Sequence, residues 1–131
     1  MQLKPVSEDI ENRRPVWQAL SDLFLDTDTS LSREWRALEL SHSHYSVEEL
    51  EEILVTEVYP ACRGNLLSIA GEWASFDMEW LESRIQRRAN SRLKALHRFN
   101  LGRLTVLASF EWRATKQAVL ASRAAAQRSA P

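Results

Sequence analysis

The chain has 131 residues, 44% apolar and 27% charged, which suits one globular domain with a single core. One cysteine, Cys62, excludes an internal disulfide, and the N-terminus lacks the apolar run of a secretory signal. The net charge of −1 hides a polarity: residues 1–82 carry 17 acids and 6 bases, whereas residues 83–131 carry 11 bases and one acid, Glu111. No stretch approaches the roughly 18 apolar residues of a membrane helix, so the expectation is a soluble cytoplasmic protein with no membrane partner.

Glycine and proline are scarce and alternating β-branched runs are absent. The expected fold is all-α: a single compact domain of five or six helices over residues 1–125, a long basic C-terminal helix or helix pair, and a frayed tail at 126–131. The first helix is predicted to open at RRPVWQALSDLFLD, with Pro15 in its first turn, where a missing N–H costs little. Val16, Trp17, Leu20, Leu23 and Phe24 supply its apolar face, and DTDTS breaks it. A second helix, LSREWRALEL, capped by Ser30 or Ser32, is expected to turn Leu31, Trp35 and Leu38 inward. After the loop SHSHYS, Ser46 and Glu49 have capping-box spacing, and Val47, Leu50, Ile53, Leu54 and Val58 form a buried stripe.

Pro60 is expected to end or kink that helix, because it disfavours a helical Tyr59. A short helix through PACRGNLLSIAGEW should follow, loosened by Gly64 or Gly71. Asp77 should then cap FDMEWLESRIQRR, in which Trp80, Leu81, Ile85, Leu93 and Leu96 keep a helical period. A break is predicted near Asn100 and Gly102. The last helix carries Leu104, Leu107, Ala108, Phe110 or Trp112, and Val119.

Several short motifs stand in order: R-R-P-V-W at Arg13–Trp17, E-V-Y-P-x-C at Glu57–Cys62, N-L-L, G-E-W, F-D and W-L. Over roughly Arg13 to Arg88 the chain resembles a family of small bacterial proteins of unknown function. The resemblance implies no activity, substrate or cofactor.

Recognisable catalytic motifs are missing: there is no G-x-S-x-G, Walker loop or G-x-G-x-x-G. His42 and His44 form an H-x-H in a loop, too few ligands for a metal centre, and no cofactor or metal is expected. Cys62 reads as a small buried hydrophobe rather than a nucleophile. Glu57, Tyr59, Arg63, Asn65 and Glu72 form a candidate polar pocket, whose competing reading is an internal network with Arg63 paired to Glu57 or Glu72.

The charge polarity points to binding, not catalysis. An acidic face of Asp22, Asp26, Asp28, Glu48, Glu49, Glu51 and Glu52 suits a basic protein partner, and a toxin-neutralising immunity protein is one such role by analogy. The basic series Arg84, Arg87, Arg88, Arg92, Lys94 and Arg98 offers the alternative, a nucleic-acid phosphate backbone. The same series also suits the acidic half of its own fold, or of a second copy in a homodimer.

Overall fold

The computed structural model describes residues 3–24, 29–66, 78–89 and 106–129, except for the side chains of 29–30, 63–66 and 89. Among the described residues the fold is all-α with no strand. Six α-helices are present there: α1 (Ile10–Ser21), α2 (Arg33–His42), α3 (Val47–Ile53), α4 (Tyr59–Leu66), α5 (Met78–Ala89) and α6 (Phe110–Ser129). None of these is long and apolar enough to cross a membrane. The core is built from Val16, Trp17 and Leu20 of α1, Leu50 and Ile53 of α3, Leu81 and Ile85 of α5, and Trp112 and Val119 of α6.

Local chemistry explains the start of α3. The Ser46 hydroxyl accepts from the Glu49 N–H at 3.1 Å, and the Glu49 carboxylate accepts from the Ser46 N–H at 2.9 Å. Two N–H groups that the helix leaves unpaired are thereby satisfied. The predicted stripe Val47, Leu50, Ile53, Leu54 and Val58 is buried in full.

Pro60 does not end the helix. A π turn at Leu54–Val58 carries α3 into α4, and the Tyr59 N–H reaches back five residues to the Leu54 carbonyl. A proline ring in a regular helix collides with the carbonyl four residues earlier, here that of Thr56, and lacks the N–H to bond it. Widening the helix relieves that collision. The turn also buries Leu54, Val55 and Val58 together and directs Glu57 toward α1.

Two expectations, the start of α1 and the inward face of α2, need correction. α1 begins at Ile10, so Pro15 lies inside it, and the turn Val6–Glu8 with Asp9 starts the helix earlier. In α2 and the turn before it the predicted inward residues face out: Leu31 is 87%, Trp35 40% and Leu38 50% exposed, while Arg36, Ala37 and Leu40 are buried. The physical cause is Arg36, whose buried guanidinium is bonded to Asp22, Glu111 and Thr115 and fixes the rotation of the helix. At the start of α6 it is Trp112 that is buried, whereas Phe110 is 74% exposed. α6 continues through the expected tail to Ser129, with residues 125–129 exposed. Asp77, Leu93, Leu96, Asn100, Gly102 and Leu104 lie outside the described residues.

Candidate functional site

The most concentrated polar chemistry among the described residues surrounds Arg13 on α1, which is buried. Its Nε and Nη2 donate to the two oxygens of Glu57 at 3.2 and 3.0 Å. Nη1 donates to Asp9 at 3.0 Å and to the Tyr45 hydroxyl at 3.3 Å, and Nη2 also reaches the Lys4 carbonyl at 2.8 Å. A guanidinium has five N–H donors, and these bonds use all of them. Trp17, one turn after Arg13, donates Nε1–H to Glu57 at 2.8 Å. Asp9 in turn accepts from the Tyr45 hydroxyl and, at 2.8 Å, from Asn12.

This arrangement holds each charge in one state. Burial pushes the Asp9 carboxyl up, but the bonds from Tyr45 and Asn12 and the charge of Arg13 outweigh it and keep the group below its usual range. Burial and the bond to Asp9 push the Tyr45 hydroxyl well above its ordinary value, so it stays protonated. Burial lowers Arg13, and the carboxylate of Glu57 more than reverses that. No buried side-chain nitrogen or oxygen among the described residues lacks a partner. The cluster is a satisfied internal network, with no buried donor left to orient a ligand.

Of the candidate pocket, Glu57 accepts from Arg13 and Trp17, and Tyr59 packs its ring on Phe24 at 5.9 Å. The side chains of Arg63 and Asn65, and Glu72 altogether, lie outside the described residues. The signal available in the sequence was the i, i+4 pair Arg13 and Trp17, two donors on one face of a helix. Cys62 is fully buried and burial pushes its thiol up to about 12. We expect it to resist a thiol-specific chromogenic reagent in the native protein and to react at once in denaturant; fast native labelling would show that the thiol is accessible.

A second network joins the halves of opposite charge. Glu111, the single acid of the basic half, binds Arg33 through both oxygens at 3.1 and 2.6 Å and Arg36 at 2.9 Å. Arg36 also donates to Asp22 at 2.7 Å and Thr115 at 2.9 Å. Glu51 accepts from Trp112 Nε1 at 3.1 Å and Lys116 at 3.1 Å. Arg123 donates to the carbonyls of Leu40, Ser41 and Ser43 at the end of α2, where a cation suits the helix dipole.

Of the expected acidic face, Asp22 and Glu51 are thus engaged inside the fold and Glu49 in its capping box, while Glu48 is exposed, Glu52 is half-buried, and Asp26 and Asp28 lie outside the described residues. Of the basic series, Arg84 donates to the Ala61 carbonyl at 3.0 Å and covers the Trp80 ring. Arg87 is exposed, Arg88 half-buried, and Arg92, Lys94 and Arg98 lie outside the described residues. Among the described residues no three histidine, cysteine or acidic side chains gather to hold a metal ion.

A family model for a domain of unknown function, DUF7079, matches residues 11–122. The chain belongs to the DUF7079 family. No curated protein and no solved structure matches it. The family match extends well past Arg88, where the recognised motifs stop, and includes the Glu111 network on α6. Two of the stretches that carried the resemblance meet in space: Arg13 and Trp17 of R-R-P-V-W hold Glu57 of E-V-Y-P-x-C.

The surface of this DUF7079 domain carries one further feature. The described large apolar side chains that remain exposed are Leu31, Trp35, Leu38, Phe110 and Leu120, all on α6 or on α2 and the turn that leads into it. Leu31, Trp35 and Leu38 have i, i+4, i+7 spacing and form one outer face, accompanied by exposed Glu34 and half-buried Glu39.

Proposed function

We propose that this domain is a cytoplasmic protein-binding module and that the outer face of α2 is its contact surface. The observation that carries the reading is the inversion of α2. A helix that buries an arginine and leaves Trp35 and Leu38 in water, with Leu31 of the preceding turn, holds an apolar face in reserve. Tryptophan is among the residues that most often dominate binding energy, and Glu34 and Glu39 beside it favour a basic, amphipathic partner surface. The partner class remains the one expected from the acidic half of the chain, while the contact surface moves from Asp22 and Glu48–Glu52 to α2. Neutralisation of a basic toxin is one such role. Nucleic acid is the weaker reading, since Arg84 is engaged within the fold.

The test uses the exposed residues, because variants at Glu49 or Glu51 would disturb the capping box and the Trp112 contact. Immobilised wild-type protein should retain basic proteins from its source lysate. The Trp35→Ala/Leu38→Ala variant, with an unchanged circular dichroism spectrum, should lose them by about tenfold or more. Equal retention by both proteins would remove α2 as the contact surface.

A further inference from the structure

We infer that a second copy of this chain occupies the outer face of α2, docking through its α6. The inference rests on the reading of α2 as a protein-docking face and names the protein that docks there.

The first observation is that α6 carries the matching chemistry. Its exposed residues include Phe110, Arg113, Leu120 and Arg128, with small Ala121 and Ala125 among them. The one acid of α6, Glu111, is turned toward α2 of its own chain. The outer face of α6 is therefore apolar and positive, and that of α2 is apolar and negative. One chain holds both halves of a complementary contact, as a two-fold symmetric interface requires.

The second observation is the register. The two helices run side by side in the same direction, because Arg33 bonds Glu111, Arg36 bonds Thr115 and Ser41 bonds Ser122, at sequence separations of 78, 79 and 81. An offset of 79 places Leu31 level with Phe110, Glu34 level with Arg113, and Leu38 level with Gln117. At the N-terminal end the guanidinium of Arg33 lies 5.6 Å from the centre of the Phe110 ring, which sets the start of α6 beside the start of α2.

A two-fold axis parallel to the helices sets α2 of each copy over α6 of the other at the same level. Leu31 then meets Phe110, Glu34 meets Arg113, and both contacts occur twice. Trp35 and Leu38 lie between them, over the small residues of the facing α6. Neither Glu34 nor Arg113 makes an ion pair among the described residues, and both are exposed. They are available for a partner and can be replaced without touching either buried network.

The experiment is sedimentation equilibrium on four samples: wild type, Glu34→Arg, Arg113→Glu, and an equimolar mixture of these two variants. Wild type is expected to dimerise. Each variant alone places like charges opposite one another at two symmetric points, and its dimer should weaken by about tenfold or more. In the mixture each reversed charge faces its opposite, so association should return toward the wild-type level, and the Glu34→Arg/Arg113→Glu double variant should do the same as a homodimer. Variants that do not rescue each other would overturn this pairing. A wild type that stays monomeric to about 100 μM, where even weak specific association registers, would overturn self-association itself. That second result would leave the docking role of α2 standing if the Trp35→Ala/Leu38→Ala variant still loses its heterologous partner, and would end both readings if it does not.

Discussion

Arg13→Met is expected to lower the free energy of unfolding by about 3–5 kcal/mol, the cost typical of removing one partner from a buried ionic network. The substitution preserves bulk and apolar contact but leaves Asp9 and Glu57 facing each other without the cation between them. Trp17 still donates to Glu57, and Tyr45 and Asn12 still donate to Asp9, so the carboxylates keep part of their satisfaction and the protein should fold. Urea unfolding followed by tryptophan fluorescence provides the measurement, with the midpoint moving down and the slope unchanged. Arg13→Lys should fall between the two, because an ammonium offers three donors where five are used. A loss below about 1 kcal/mol would show that the network behaves as a solvated surface pair.

The second large effect is expected at Arg36→Met, and it should be accompanied by a change in acid sensitivity. Arg36 links Asp22 and Glu111, and its loss leaves Asp22 with Ser32 and Glu111 with Arg33. A penalty of about 3–5 kcal/mol is again expected. Glu111 is held below the usual carboxylate range, first by its bond with Arg33, then, against the opposing effect of burial, by the charges of Arg33 and Arg36.

The sign follows from that direction. A carboxyl depressed in the folded state binds protons more readily when unfolded, so its stabilisation is complete above the ordinary carboxylate value of about 4 and disappears as the pH falls through the folded value. Asp9 behaves in the same way. Wild-type stability should thus vary little with these two groups between about pH 7 and 5 and decline below about pH 4. Glu111→Gln should flatten part of that acid slope, which chemical unfolding at a series of pH values measures. An unchanged slope would mean that Glu111 titrates alike in both states.

The placement of charge gives the fold its logic. Acids crowd the first two thirds of the chain and bases the last third, yet the two fully buried cations among the described residues, Arg13 and Arg36, both come from the acidic part. The anchor of Arg36 and Arg33 is the one acid of the basic part. Such an arrangement ties α2 to α6 and α1 to the π turn through ionic and neutral hydrogen bonds that leave no buried side-chain donor of the described residues unpaired. It also uses up several of the residues that a simple division by sign would assign to binding. What remains on the surface of α2 and α6 is the apolar and charged material from which a contact with another chain can be built.

Much of the local structure was legible from residue order alone. The helical class, the capping box of Ser46 and Glu49, and the stripe from Val47 to Val58 rest on interactions three or four residues apart, and spacing encodes those directly. The buried character of Cys62 followed from the general tendency of a free cysteine to act as a small hydrophobe. The rotation of α2 did not follow from such rules, because Leu31, Trp35 and Leu38 are as regular as any core face. What turned them outward was Arg36, through partners 75 and 79 residues away. Glu57 likewise found Arg13 across 44 residues, and the π turn let the helix pass Pro60 instead of stopping there. Periodicity records which residues share a face, so the sequence by itself determined the helices. Which face a helix buries depends on where distant charges find their counter-charges in a low-dielectric interior, and that only the tertiary structure decided.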